Sequence, residues 1–218
     1  MPAESVGLFL PGFAARARAY AGGIPDGWEA RQPPSPRASR GSLASLRDWA
    51  LSELLETEGR KIVAGHSMGA ALALLTAATV PERVGGLLLI APAGLPLRKP
   101  VRRSASDLVH QLARRTYPPS DALSAAGELV AAPRAAIRLV RALRQLDLTA
   151  QMGRVREAAI PTVIVGCTTD TLVTPYHCRA TARLVGGDYH ELAMQGGHVW
   201  MFEHPAVLSE LLRGASAR

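Results

Sequence analysis

Cysteine is nearly absent from this chain: 218 residues hold only Cys167 and Cys178. Two thiols with no CxxC spacing exclude a disulfide framework, so both are expected reduced, with Cys167 buried in a strand. Aromatic residues make up only 5%. No basic run is interleaved with aromatics, as single-strand nucleic-acid binding requires, so no nucleic-acid partner is expected. No apolar run approaches the roughly 20 residues of a membrane-spanning helix, so no membrane partner is expected either. The opening "MPAESVGLFLPGF" has no basic segment followed by a long apolar core, so no secretory leader is expected and the location is read as cytoplasmic. His110, His177 and His190 lack metal-ligand spacing and nothing resembles HExxH, so no metal and no cofactor is expected. Acidic residues are outnumbered 18 to 25 by basic ones, giving a formal net charge of +7. That balance fits an anionic partner or an arginine-rich solvated surface.

Hydrophobic residues are plentiful at 48%, enough for one domain with a sizeable core. Continuous apolar runs at "VGLFL", "KIVAG", "GGLLLIAPAG" and "PTVIVGC" read as buried strands. Helical spacing follows in "SLRDWALSELLETE", in "SMGAALALLTAATV" up to Pro81, in "PYHCRATARLV" and in "PAVLSELLRG". A short strand is expected at "DYHELA". "DGWEARQPPSPRASRGS" reads as a loop or degenerate strand. Apolar strands alternating with helices predict an α/β fold with a mostly parallel sheet covered on both faces. The Arg-rich helical block from about 95 to 159 interrupts the alternation. It is read as a helical cap, dividing the chain into core 1–94, cap 95–159 and core 160–218. Within it, "PRAAIRLVRALRQL" carries Ala136, Ile137, Val140, Leu143 and Leu146 as an apolar stripe.

The chemistry centres on "VAGHSMGAALAL". A serine on a tight strand-to-helix turn needs small neighbours, which Gly65 and Gly69 supply. The turn lifts the Ser67 hydroxyl above the sheet and points the following helix N-terminus at it, with the Met68 N–H aimed at a developing oxyanion. Such a nucleophile needs a base and the base an orienter. His198 in "GGHVW" suits the base. Asp170 in "VIVGCTTDTLVTP" lies just past a buried strand, where ligand-facing groups sit in an open α/β sheet. Asp188 competes, although its Gly-Gly-Asp turn alone accounts for it. The order Ser67, Asp170, His198 is the one described for this type of elbow. "FLPGFAA" offers a second oxyanion donor, the Phe13 N–H, with Ala14 as alternative. His66 and Trp200 are candidates to contact substrate, with packing as the competing role.

These motifs resemble the α/β-hydrolase fold superfamily, in its small-substrate esterase, lipase and carrier-protein esterase branch. "GHSMG" matches the nucleophile elbow, "IPTVIVGCTTDTLVTP" the acid-bearing strand and loop, and "GGHVWMFEHP" the histidine loop. The resemblance implies a three-layer fold, Ser67 as nucleophile, Asp170 as acid, His198 as base, and the Phe13 and Met68 amides as oxyanion hole. It implies a serine esterase acting on a small-molecule ester, similar to carboxylesterases and pimeloyl-carrier methyl esterases. Three departures stand out. Pro11-Gly12 replaces the usual His-Gly, and the family's first two strands are missing, leaving about six. A Pro- and Arg-rich loop also replaces the family's next strand and turn, and is placed to reshape one wall of the site.

The cap basic residues, Arg98, Lys99, Arg102, Arg103, Arg114, Arg115, Arg134, Arg138, Arg141 and Arg144, form either a solvated helix face or a dock for an acidic acyl carrier protein. Thioester and carrier-bound ester hydrolysis share the triad and stay open, as does ligand binding without catalysis.

Overall fold

The computed structural model describes residues 7–56, 58–97, 123, 126–127 and 129–217. Six strands make one sheet: β1 (Gly7–Leu10), β2 (Trp28–Ala30), β3 (Lys61–His66), β4 (Val84–Ile90), β5 (Thr162–Cys167) and β6 (Asp188–Leu192). They lie in the order β2-β1-β3-β4-β5-β6 and every pair is parallel. The chain is therefore an α/β protein with the strand number that the sequence predicts.

Successive side chains on a strand point to opposite faces, and here both faces are covered. Leu8, Leu10, Val63, Leu87, Leu89 and Ile164 enter one cluster with α1 (Leu43–Leu55), α2 (Met68–Thr79), α4 (Thr149–Glu157) and α5 (Pro175–Val185). Phe9, Ala64, Leu88, Ile90, Val163 and Val165 enter the other, with α6 (Pro205–Ser216) and two 3-10 turns, Ala17–Gly23 and Gly197–Phe202. Two-sided burial is why these strands read as apolar throughout rather than alternating.

Local chemistry sets the helix limits. The Ser42 hydroxyl accepts the Ser45 N–H and starts α1, as an N-cap does. Pro81 cannot continue α2, and a 3-10 turn at Pro81–Arg83 leads straight into β4. Gly186, in a left-handed conformation (φ 68°), ends α5.

Three placements refine the expectation. Trp28–Ala30, inside the segment read as a loop or degenerate strand, is the strand: three residues pair with β1 at the edge, and the Trp28 indole N–H donates to Ser216 Oγ at 3.0 Å. Pro33, Pro34 and Pro36 follow, and proline removes the N–H a longer strand would need. On α3 (Pro133–Gln145) the buried residues are Ala136 and Leu139, whereas Ile137 is 52% exposed. Leu139 takes the inward place expected of Ile137, while Ala136 is buried and Leu143 and Leu146 pack against the core as expected. Third, α4 belongs to the span read as cap, yet it packs against α2 and α5 with Met152 and Val155 fully buried. It is a covering helix of the sheet. Of the cap cations, Arg98, Lys99, Arg102, Arg103, Arg114 and Arg115 lie outside the described residues, as does His110.

Candidate active site

Ser67 sits between the end of β3 and the start of α2 with φ 55° and ψ −110°. A non-glycine residue held at positive φ costs on the order of 1–3 kcal/mol and persists only where its surroundings over-determine it. They do so here. Ser67 N–H donates to the Ile90 carbonyl at 2.9 Å, and its own carbonyl accepts from Ala71 and Ala93, both at 3.2 Å. The elbow is thereby pinned to the carboxyl end of β4. Close approach explains its two glycines: a Cβ on Gly69 would fall 1.8 Å from the Leu10 carbonyl oxygen, and one on Gly65 would fall 2.3 Å from the Gly69 carbonyl carbon. Either would drive α2 off the sheet.

Asp170 and His198 come from the loops after β5 and β6, at the same carboxyl edge of the sheet as Ser67. His198 Nδ1 and Asp170 Oδ2 are 2.8 Å apart, and the two side chains are 3% and 0% exposed. The carboxylate is held for this contact, because Oδ1 accepts the Leu172 N–H at 2.8 Å and the Val173 N–H at 3.0 Å. Thr169 ties the two loops together: its Oγ1 donates to the Met194 carbonyl at 2.9 Å and accepts from the Gly197 N–H at 3.1 Å. Asp188 heads β6 at the amino edge, paired in register with Val163, on the far side of the sheet from Ser67. Cys178 is buried nearby; desolvation first, then the Asp170 charge, push its thiol well above the ordinary range, which leaves it without thiolate character at neutral pH.

Met68 is the first residue of α2, so its N–H has no intrahelical acceptor. Phe13 lies in a turn closed by Ala15 N–H donating to the Gly12 carbonyl at 3.2 Å, with Ala14 at φ 57°. In a trans peptide the N–H points opposite the carbonyl, so the Phe13 N–H faces away from Ala15. Gly12, Phe13 and Met68 share a narrow groove with Leu139 of α3 and residues 33–36. The Pro-rich loop thus forms one of its walls.

His66 and Trp200, candidates for substrate contact, are 3% and 1% exposed and both lie in the interior. Trp200 packs with Phe9, Val199 and Leu208. His66 Nδ1 is 2.8 Å from the Tyr20 hydroxyl and its Nε2 is 2.9 Å from the His198 carbonyl. Burial, then the neighbouring His198, hold the His66 imidazole well below its ordinary pKa. Tyr20 and Thr169 had no signal in the sequence beyond Thr169 standing next to the candidate acid. Among the described residues no group of three or more His, Cys, Asp or Glu side chains is arranged to hold a metal ion, and no helix there is long and apolar enough to cross a membrane.

This elbow, and the buried acid–histidine pair at the same sheet edge, go with a family assignment: the model of the alpha/beta hydrolase family matches residues 7–211, and the chain belongs to that family. No curated protein matches it. Among solved structures it is similar to a lipase-esterase related protein from Clostridium acetobutylicum (TM-score 0.74, 12% identity, 99% of this chain and 96% of that one). It is also similar to Est816, described as an N-acyl homoserine lactone degrading enzyme (TM-score 0.73, 18% identity, 95% and 91%), and to the thioesterase domain from the curacin biosynthetic pathway (TM-score 0.64, 17% identity, 98% and 92%). At these identities the likeness is one of fold.

Proposed function

We propose that the protein is a serine hydrolase that cleaves a small to medium carboxylic ester through an acyl-enzyme. The observation that carries this reading is the buried 2.8 Å contact between His198 Nδ1 and Asp170 Oδ2, made at the sheet edge where the elbow presents Ser67. With Nδ1–H donated to Asp170, Nε2 is the nitrogen that takes the serine proton. Ser67 Oγ attacks the ester carbonyl, and the Phe13 and Met68 amides receive the oxyanion. His198 then protonates the leaving alcohol. In the second half-reaction it activates the water that releases the acid and restores Ser67.

The test is hydrolysis of p-nitrophenyl esters from acetate to laurate by the native protein and by Ser67→Ala. The expected result is turnover that falls at least about a thousandfold in the variant. Equal rates in both proteins would overturn the reading. Labelling of Ser67 by a fluorophosphonate separates a hydrolase from a protein that only binds on this fold.

A second reading, hydrolysis of a thioester or a carrier-bound ester, has its own support. Arg134, Arg138 and Arg141 are all exposed on α3, at spacings of four and three residues that share one helix face, and the helix holds no acidic residue. Such a face suits an acidic carrier protein. Changing Arg138 and Arg141 to Glu is expected to depress turnover of carrier-bound esters while p-nitrophenyl acetate is still hydrolysed; equal effects on both would sink the docking role.

A further inference from the structure

Four groups drawn from three separated parts of the chain meet beneath the elbow. Gly12 N–H donates to the Tyr20 hydroxyl oxygen at 3.3 Å. That hydroxyl lies 2.8 Å from His66 Nδ1, and His66 Nε2 lies 2.9 Å from the His198 carbonyl oxygen. Proton positions follow from elementary bookkeeping. A carbonyl only accepts, so His66 Nε2 carries a proton. Burial keeps the ring neutral, so Nδ1 is bare and must accept. Tyr20 therefore donates to it, and its oxygen is left to accept from Gly12. Every direction in the chain is fixed, running Gly12 to Tyr20 to His66 to His198.

Its two ends matter. At one end the Gly12 N–H is held by Tyr20 and the Gly12 carbonyl by Ala15, so both peptides flanking Gly12 are pinned. The second of these is the peptide that supplies the Phe13 N–H. At the other end the acceptor is the backbone of His198 itself. Contact is tight as well as polar: a Cβ on Gly12 would lie 2.9 Å from His66 Nδ1, and the His66 and His198 rings are 4.7 Å apart between centroids.

We infer that Tyr20 and His66 are positioning residues that couple the oxyanion loop to the catalytic base through one directed hydrogen-bond chain, and so do the ordering that a His-Gly oxyanion motif would do. Neither side chain touches substrate in this role. The inference rests on the proposed triad for its consequence in catalysis, but not for its hydrogen bonds.

Two measurements test it on the full chain. The first is nitrogen-15 imidazole spectroscopy. His66 is expected as the neutral Nε2–H tautomer from pH 8 to pH 5, and Tyr20→Phe is expected to shift the Nδ1 resonance and to speed amide exchange at Gly12 and in the loop carrying His198, without a general rise. A His66 in the Nδ1–H form, a ring that titrates near its ordinary value, or exchange unchanged at either loop would overturn the coupling.

The second is kinetics on p-nitrophenyl acetate. Tyr20→Phe is expected to lower kcat about tenfold with KM within about twofold, less than the 10²–10³ of removing an oxyanion donor outright. His66→Gln, whose amide can still donate to the His198 carbonyl, is expected to keep more activity than His66→Leu. Full kcat in Tyr20→Phe would overturn the proposal. A native protein that neither turns over esters nor labels at Ser67 would overturn the proposed function instead, and the spectroscopy would still decide the hydrogen-bond chain.

Discussion

Single residues in this chain hold backbone that few others would tolerate. Gly69 faces the Leu10 carbonyl so closely that Gly69→Ala must push α2 away; a loss of at least about 3 kcal/mol, read as a fall in the urea midpoint, is expected from overpacking in a closed core. The opposite change helps at Ala159, which is exposed and sits at φ 51° after α4. Left-handed backbone costs a Cβ-bearing residue about 1–2 kcal/mol, more than the added chain freedom of glycine, so Ala159→Gly is expected to raise the unfolding free energy by a few tenths of a kcal/mol or more, read as a higher urea midpoint. His66 adds a pH dependence. Its native pKa is depressed, so the unfolded chain, near 6.5, takes up the proton first as pH falls. Stability is then complete above about pH 7 and declines below about pH 6.5, by up to about 1.4 kcal/mol per pH unit. Besides His198, Tyr20 lies against this ring. Urea unfolding at pH 7.5 and 5.5 should show a smaller difference in His66→Gln than in the native protein. At this scale the sequence was informative where chemistry forces a motif. Ser67 between two glycines is legible because no larger residues fit there. Tyr20 was not, because a tyrosine eight positions after Gly12 declares nothing until the 3-10 turn at Ala17–Gly23 folds its hydroxyl back beneath the elbow.

Elements were legible in proportion to how uniformly they are buried. Each apolar run read as a strand is one, and α2 is legible because Leu72, Ala73 and Leu74 are all fully buried, leaving no polar face to confuse its period. Leu72→Ala is expected to cost about 2–5 kcal/mol in chemical denaturation for the same reason. The helices of the Arg-rich block were harder. On α3 both Ile137 and Leu139 are apolar, and the choice of which faces inward depends on what lies beneath, which is the groove beside Phe13 and Met68 rather than the sheet. On α4 the Arg154 and Arg156 side chains mask two fully buried residues between and before them. Trp28–Ala30 is too short for periodicity to mark, and only pairing with β1 defines it.

Among the described residues the strands form one parallel sheet, and the candidate site residues gather at its carboxyl edge. That gathering follows from topology: in a parallel sheet all strands end at the same edge, so loops after β1, β3, β5 and β6 converge however far apart they lie in sequence. Fold class could therefore be read from alternation, the strand number followed from the resemblance, and the parallel topology puts Ser67, Asp170 and His198 at one sheet edge. What alternation could not convey is how the loops are fastened to each other, since those fastenings are backbone carbonyls and amides with no sequence signature. The contact between His66 and the His198 carbonyl spans 132 positions, and it has a consequence for timing. During synthesis Ser67 leaves the ribosome long before His198 is made. A growing chain that has folded β1 through β4 holds Ser67 without the acid–histidine pair, so the proposed hydrolysis waits until the loop after β6 is in place.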